Sequence, residues 1–364
     1  MLEKDFLFPE NVDLPIRGSV CYKAPSNIAL VKYWGKKENQ IPANPSISFT
    51  LDACSTRTSL SFEKLKSPSK TFSFDFLFEG KPKEAFKPKI KTFLDRVQLY
   101  LPYLNLYHFK IDSVNSFPHS SGIASSASGM AALALCFLEI EKLARPEMSK
   151  EYFDKKASFL ARLGSGSACR SIKGELVQWG KTKSIPQSSD LYGIPGIFEV
   201  HSAFKNYHDT ILLVHKGQKT VSSTVGHGLM KGHPFASQRF EQAHQNLEKL
   251  RPIFESGDFE GFIQLVESEA LTLHAMMMAS TPYFILMLPN TLEIINRIWE
   301  FRRITKTPIC FTLDAGANVH VLYPESEKEK CIQFIQDELV AYCENGHYIC
   351  DRVGNGAKQI SPYA

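Results

Sequence analysis

One stretch of small residues limits what this chain can fold into more than any other. Residues 114–130, VNSFPHSSGIASSASGM, hold five serines between Ser120 and Ser128. An alanine- and leucine-rich run follows at 131–144 and predicts a buried helix. Such a loop exposes backbone N–H groups at the positive end of the helix dipole. Two interpretations follow: a phosphate-binding loop, or an ordinary serine-rich loop with a serine N-cap.

A phosphate-binding loop at this place would not be a Walker A motif. The nearest match to that motif is GELVQWGKT, residues 174–182. Five residues separate its two glycines where the motif has four, and one of the five is the bulky Trp179. We interpret this segment as a strand that runs into a turn, and we exclude a P-loop NTPase on that ground.

Length and composition set broad limits on the class of protein. The chain has 364 residues, enough for two domains or one large domain. Hydrophobic residues make up 43% and charged residues 22%, as in soluble globular proteins. The net charge of +4 is too small and too dispersed for nucleic-acid binding, although it suits a small anionic substrate.

Targeting signals and cysteine spacing bear on the compartment. The N-terminal residues contain no apolar core of the length that a secretion signal needs, and no apolar run approaches a membrane span. The eight cysteines show no CxxC pairing, and several lie inside apolar patterns. We therefore expect reduced cysteines and a cytoplasmic protein.

Hydrophobic periodicity predicts a chain of mixed secondary structure. The clearest strand is KTFSFDFLFEG, in which phenylalanine alternates from Phe72 to Phe78, so that one face must be buried. Further strands are predicted at 19–24, 44–60, 106–114 and 209–217, with a strand–turn–strand unit at 307–323. Helices are predicted at 84–102, 131–144, 149–163, 236–255, 258–279, 291–304 and 326–345, a loop at 221–228, a long connection at 181–208 and a polar C-terminal tail.

A cluster of cations lies beside two aromatic residues near the N-terminus. Lys32 interrupts the apolar run IALVKYWG, and Lys36 follows shortly after Tyr33 and Trp34. A lysine in such a run either snorkels to the surface or is a buried cation that binds an anion. We favour the buried cation for Lys32. The lysines between 81 and 91 are interpreted as a solvated face.

A second small-residue loop, GSGSACR at 164–170, ends in an arginine. If a helix begins near Ser167, then Ser167 and Arg170 lie on one face, as positions i and i+3 do. That pair suits recognition of a phosphate or a carboxylate. The alternative is a glycine-rich turn between helices with a solvated arginine.

Asp314 lies at the turn of the strand–turn–strand unit and is followed by Ala-Gly-Ala. A carboxylate at a strand end beside a glycine is often simple turn chemistry. The same position would also hold a reactive acid on a rigid strand. The lone His274, beside three methionines, is interpreted as core.

Five segments, taken in order, resemble the diphosphomevalonate decarboxylase family of the GHMP kinase superfamily. The pairing of KYWGK with GSGSACRS is specific, since other GHMP members share the serine loop but not these two segments. The match covers nearly all of the chain after residue 19. The segments are APSNIALVKYWGKK (24–37), NPSISFTLD (44–52), FPHSSGIASSASG (117–129), GSGSACRSIKG (164–174) and FTLDAGANVH (311–320).

The resemblance implies an α+β fold of the GHMP kinase type. Its N-terminal α/β domain, at 1–200, would be similar to ribosomal protein S5 domain 2 and would bind ATP. Its C-terminal domain, at 201–364, would be ferredoxin-like. The family is usually homodimeric, so the resemblance also implies a homodimer. The implied reaction is ATP-dependent decarboxylation of mevalonate 5-diphosphate after phosphorylation of its 3-hydroxyl, with magnesium.

The resemblance also implies roles for individual residues. The residues expected to bind ATP are Ser120, Ser121, Gly122, Ala124, Ser125 and Ser126. Ser126 would also contact magnesium. Those expected to hold the substrate are Tyr33, Lys36, Lys81, Ser165, Ser167 and Arg170. The catalytic residues would be Asn27, Lys32, Arg170 and Asp314.

Two departures from the family pattern leave alternatives open. Lys81 stands where the family usually has arginine, and Ala317 stands where it usually has proline. Lysine lacks the two-pronged grip of arginine, so a relative that acts on the 5-monophosphate, or a mevalonate 3-kinase, remains an alternative. The presence of both Lys32 and Asp314 favours full decarboxylation. Alternatives of other classes are a nucleic-acid-binding module and a non-catalytic ATP-binding subunit.

Overall fold

Two β-sheets organise the structure, a computed structural model that describes residues 1–118, 123–217 and 221–361. The strands are β1 Arg17–Val31, β2 Ser46–Lys64, β3 Ser73–Phe78, β4 Lys81–Pro82, β5 Tyr107–Asn115, β6 Leu176–Trp179, β7 Ile194–Pro195, β8 His208–Leu212, β9 Cys310–Leu313, β10 Val319–Tyr323, β11 Tyr348–Arg352 and β12 Lys358–Gln359. The α-helices are α1 Lys87–Val97, α2 Ser125–Ala144, α3 Lys150–Gly164, α4 Ser223–Gly228, α5 Ala236–Ser256, α6 Phe259–Met278, α7 Pro289–Thr305 and α8 Lys328–Phe334.

The first sheet has the strand order β12-β1-β2-β5-β3-β4, and β6 and β7 extend it from β2. β3 and β5 are parallel, and the other pairs are antiparallel. Helix α2 packs on this sheet, and most of its residues are buried and apolar, as expected of a buried helix. The alternating phenylalanines confirm the predicted burial: Phe76 lies in the core, and Phe72, Phe74 and Phe78 pack against it.

The second sheet has the order β11-β8-β10-β9 and is antiparallel. Helix α6 packs against β9 and also reaches β1 of the first sheet. Asp351 of β11 binds β2 directly, since its carboxylate accepts the backbone N–H groups of Asp52, Ala53 and Cys54 at 2.7–2.9 Å. Helices packed on two mainly antiparallel sheets confirm the predicted α+β class.

Two elements start or end elsewhere than the sequence predicts. Strand β1 continues to Val31, well past the predicted end at residue 24, and it carries Pro25. The pairing with β2 shifts register between Pro25 and Asn27, and this irregularity accommodates a residue that cannot donate to the ladder. Helix α2 begins at Ser125, six residues before the predicted start at 131, so its first turn is made from the serine-rich stretch.

Three further predictions are wrong in detail. The predicted helix at 326–345 is divided into α8, a π-helical turn at Ile335–Leu339 and a 3₁₀ turn at Val340–Tyr342. The predicted loop at 221–228 contains α4, and the predicted polar tail supplies β11 and β12. All eight cysteines are free thiols, as predicted. Among the described residues, no helix is both long and apolar enough to cross a membrane.

Candidate active site

A cleft of about 440 Å³ lies where β1, the start of α2, the 164–170 loop, α4 and the turn after β9 meet. Each of these elements comes from a different part of the chain. The cleft is lined by most of the residues that the sequence singled out, namely Asn27, Lys32, Tyr33, Lys36, Ala124, Ser125, Ser126, Ser165, Ser167, Arg170 and Asp314.

Lys32 and Asp314 form an ion pair in this cleft. The Nζ of Lys32 lies 3.3 Å from Oδ1 of Asp314, and Lys32 is only 1% exposed. Burial lowers the pKa of Lys32, while the carboxylates of Asp314 and Glu269 act in the opposite direction. The side chain of Asp314 remains 26% exposed toward the cleft. The pair therefore presents a carboxylate and a desolvated ammonium to whatever the cleft binds.

Arg170 is a second buried cation of the cleft. It lies on a 3₁₀ helix, Gly166–Ser171, and is 2% exposed. Its guanidinium donates to the hydroxyls of Ser46 and Ser48 and lies over the ring of Trp179. Among the described residues no carboxylate lies within ion-pair distance of it. A buried arginine held by neutral hydroxyls favours an anionic ligand, so the solvated-arginine alternative is wrong.

The first turn of α2 provides a second anion-binding feature. Ala124 occupies the N-cap with a left-handed φ of 45° and supplies no side-chain cap. The first turn of this 20-residue helix borders the cleft, so the positive end of the helix dipole lies there. The hydroxyls of Ser126 and Ser165 lie 3.3 Å apart there. The predicted ligands Ser120, Ser121 and Gly122 lie outside the described residues.

A smaller cavity of about 170 Å³ adjoins the first turn of α2. Ser125, Ser126 and Lys89 line both the cavity and the cleft. Most of its other lining is apolar and comes from β3, α1 and α2, including Phe76, Phe78, Phe86, Ile90, Met130 and Leu133. A flat apolar group attached to a phosphate would fit this combination.

Asn27 is held in the cleft by two hydrogen bonds from its side-chain amide. Its Nδ2 donates to the hydroxyl of Ser171 at 2.8 Å and to the carbonyl of Ser167 at 3.2 Å. Asn27 is 4% exposed, and it lies on β1 just beyond the register shift. The strand irregularity and these two bonds together set the direction in which its side chain points.

His227 of α4 is a cleft residue that the sequence did not indicate. Its ring lies 4.2 Å from that of Tyr33 and 4.7 Å from that of Trp34, between centroids. Its Nδ1 accepts the Gly35 N–H at 3.0 Å, which places the imidazole proton on Nε2. Burial, with the positive charges of Lys36 and Arg170, lowers its pKa to about 3. His227 is therefore neutral at physiological pH.

Other residues differ from the sequence interpretation in position. Lys81, predicted to hold the substrate, is exposed on β4 at the edge of the first sheet and does not line the cleft. Lys89 is exposed, as the solvated-face interpretation predicts, and it also lines the cleft, as do Ser222 and Thr224. His274 is buried as predicted, and its Nε2 lies 3.1 Å from the carbonyl oxygen of Asp314.

Comparison with protein families assigns both parts of the chain. The model of the diphosphomevalonate decarboxylase-like N-terminal domain matches residues 24–191, and that of the mevalonate 5-diphosphate decarboxylase C-terminal domain matches 210–359. The diphosphomevalonate decarboxylase of Candida albicans is 30% identical over 331 residues, which cover 87% of this chain and 87% of that protein.

Solved structures give the same answer. The mevalonate diphosphate decarboxylase of Staphylococcus aureus aligns with a TM-score of 0.80 and 29% identity, covering 95% of this chain and 98% of that one. The structure of MDDEF in complex with MVAPP, AMPPCP and magnesium aligns with a TM-score of 0.79 and 29% identity, covering 94% and 99%.

The fold and the cleft define an α+β protein of the GHMP kinase fold, as predicted, in which the start of α2 and a lysine–aspartate pair line one cleft. Within that class, the chain belongs to the diphosphomevalonate decarboxylase family.

Proposed function

We propose that this protein converts mevalonate 5-diphosphate and ATP into isopentenyl diphosphate, ADP, phosphate and carbon dioxide, as a step of isoprenoid biosynthesis. The observation that carries the proposal is the shared cleft. It brings the Lys32–Asp314 pair, the buried Arg170 and the uncapped start of α2 around one volume. Membership of the family supports the same reaction.

The start of α2 is proposed to bind the ATP phosphates. The backbone N–H groups and the hydroxyls of Ser125 and Ser126 are suitable donors, and the adjoining apolar cavity suits the adenine base. No cluster of three acidic, histidine or cysteine residues could hold a metal among the described residues. The hydroxyls of Ser126 and Ser165 fit a magnesium ion that arrives on the nucleotide, where it neutralises phosphate charge.

The substrate is proposed to lie between Arg170 and the Lys32–Asp314 pair. Arg170, with Tyr33, Ser165 and Ser167, suits the carboxylate and the phosphates, and Lys36 adds positive charge. Asp314 would orient the 3-hydroxyl or take its proton, and Lys32 would offset charge that builds on the transferring phosphoryl group. Phosphate then leaves, and the electron-poor carbon draws electrons from the carboxylate as carbon dioxide departs.

The test is to supply mevalonate, its 5-phosphate and its 5-diphosphate separately with ATP and magnesium, and to measure ADP and carbon dioxide. We expect both products, and the highest kcat/KM, with the diphosphate, because Lys36 and Lys89 add to the positive charge of the cleft. A higher kcat/KM with the monophosphate would overturn the substrate assignment. ADP without carbon dioxide would identify a mevalonate 3-kinase.

One observation favours the monophosphate as a second candidate. Lys81, the residue expected to grip the diphosphate, does not line the cleft, so the second phosphate has one cation fewer than the family pattern provides. Lys89 offers the compensating charge in the primary proposal. Replacing Lys89 by glutamine should therefore raise KM for the diphosphate more than for the monophosphate.

We further propose two domains, at 1–200 and 201–364, and a homodimer located in the cytoplasm. The resemblance to the family supports the domain division and the homodimer, and the unpaired state of all eight cysteines is consistent with a reducing compartment. Sedimentation equilibrium of the purified protein would measure the oligomeric state directly.

A further inference from the structure

The backbone of Lys32 is held by side chains and not by a neighbouring strand. Lys32 lies one residue past the end of β1. Its N–H donates to Oε2 of Glu269 at 2.8 Å, and its carbonyl accepts from Arg239 at 3.2 Å and from Asn44 at 2.9 Å. Both backbone polar groups of Lys32, its N–H and its carbonyl, are therefore bound by side chains from elsewhere in the chain.

Glu269 and Arg239 form the centre of this support. Arg239 of α5 donates to both carboxylate oxygens of Glu269 of α6, at 2.5 and 3.0 Å, and both side chains are fully buried. Asn246 adds a third bond to Glu269 at 2.6 Å. The carboxylate thus accepts from Arg239, Asn246 and the Lys32 backbone at once.

This ion pair is a poor device for stability alone. Removing two charges from water carries a large desolvation penalty, and well-packed apolar residues often serve as well. The Nε of Arg239 is also buried without a hydrogen-bond partner among the described residues. What the pair achieves, and an apolar pair would not, is to bind both polar groups of the Lys32 backbone.

We infer that Glu269 and Arg239 are positioning residues: by binding the backbone of Lys32, they fix where its ammonium group lies in the cleft. The inference rests on the proposed function, because it assumes that the Lys32 ammonium acts on the transferring phosphoryl group. Glu269 and Arg239 thereby contribute to the reaction although neither of them lines the cleft.

The pKa of Lys32 depends on the charges around it. It therefore gives a measurement that would stay unchanged if Glu269 and Arg239 were purely structural. Asp314 and Glu269 favour its charged form, and Arg170 opposes it. The Arg239 guanidinium binds its carbonyl, and the positive charge of Lys32 in turn acts to lower the pKa of the buried Asp209. Neutralising Glu269 removes a negative charge, so the pKa of Lys32 falls further and the alkaline limb of activity moves to lower pH.

The experiment uses the double variant Glu269→Gln/Arg239→Gln, which removes both charges and leaves neither unpaired. We expect kcat to fall on the order of a hundredfold, as misplacement of a reacting group does. KM for ATP should stay within about twofold, since α2 is untouched. The single variant Glu269→Gln keeps the positive charge of Arg239, so there the alkaline limb of the kcat profile should also move to lower pH.

A matched control comes from the pair Lys156–Glu141, which is 2.7 Å long, equally buried, and joins α3 to α2 away from the cleft. The double variant Lys156→Gln/Glu141→Gln should lower the melting temperature without moving the pH profile. An unchanged kcat in the Glu269/Arg239 double variant, or an alkaline limb that stays in place in Glu269→Gln, would overturn the inference.

If the double variant does not fold, Glu269→Asp answers the same question. It keeps the charge but shortens the side chain, so kcat should fall while the alkaline limb stays in place; an unchanged kcat would overturn the inference. A wild-type protein that turns over no mevalonate derivative would instead overturn the proposed function. Wild-type turnover is therefore measured before any variant is made.

Discussion

Asp314 combines the features of a turn residue with those of a charged group in a cleft. Both aspartate and asparagine favour turns, so Asp314→Asn keeps the turn and removes the charge and the basicity. We expect kcat to fall on the order of a hundredfold or more, because the 3-hydroxyl loses its proton acceptor or its orienting partner. KM for the substrate should change little, since its diphosphate is bound elsewhere.

Steady-state kinetics at saturating ATP, with circular dichroism to confirm the fold, measures this outcome. A second consequence concerns Lys32, which would lose the carboxylate 3.3 Å from its Nζ and remain as a buried cation. The melting temperature should therefore fall as well. A folded Asp314→Asn protein with native kcat would restrict this residue to a role in the turn.

Single residues were predictable where their local pattern was unusual. Lys32 interrupts an apolar run, and its burial is confirmed. His227 could not be predicted, because its place depends on a bond to Gly35, which lies 192 positions away. The position of Lys81 could not be predicted from the sequence either, since it depends on which edge of the sheet β4 joins.

At the scale of elements, α4 depends on one close approach. A Cβ atom added to Gly226 would lie 2.5 Å from Cη2 of Trp34, and Trp34 is only 4% exposed and so has little room to move. We expect Gly226→Ala to displace α4 and with it His227, Ser222 and Thr224. The KM for the mevalonate substrate should rise several-fold, about tenfold at most, with a smaller effect on the KM for ATP.

The same helix offers the control. A Cβ atom added to Gly228 meets nothing within 4 Å, and neither glycine has a positive φ. Gly228→Ala should therefore leave both KM values at the wild-type level, and the greater helix propensity of alanine applies to both variants alike. Equal kinetics for the two variants would contradict the proposed role of the contact with Trp34.

Elements were predicted best where the apolar pattern was long. The run at 131–144 predicts the body of α2, but its first turn is Ser-Ser-Ala-Ser-Gly, whose helix propensity is low, and tertiary packing decides there. Pro25 indicated a break in β1, whereas an irregularity in the ladder keeps the strand continuous. The helix predicted at 326–345 is amphipathic throughout, and its π and 3₁₀ turns left no sign in the pattern.

For the molecule as a whole, residues 354–360 fasten the end of the described chain to the first sheet. Their backbone forms bonds from Gly354 to Thr50, from Ala357 to Ile172 and from Ile360 to Cys21, at 2.8–3.0 Å. Removing residues 354–364 should lower the free energy of unfolding by at least about 3 kcal/mol, at about 1 kcal/mol for each of these three bonds, because the pairing of β12 with β1 and the bond from the Thr50 hydroxyl to the Gly354 carbonyl are lost as well. Urea denaturation of the shortened and full chains measures this, and equal midpoints would contradict it.

The overall architecture followed from the resemblance far more than from the patterns. Five short motifs implied the α+β class and the GHMP kinase fold, and both are confirmed. The patterns alone missed β11 and β12, because these strands are short and are defined by their partners. The cleft depends on contacts between distant segments, such as Lys32 with Asp314, and no local pattern records them.

The return of β12 to β1 has a consequence for biosynthesis. β1 leaves the ribosome early, but its residues Tyr22 and Lys23 pair with Lys358 and Gln359. These two residues emerge only after all strands of the second sheet have been synthesised. During elongation this part of the strand edge is open to pairing with other chains. A polypeptide of residues 1–200 made alone would keep that edge open permanently and would lack Glu269 and Arg239 beneath Lys32. The order of the strands therefore leaves this part of the β1 edge unpaired until residue 359 has been made.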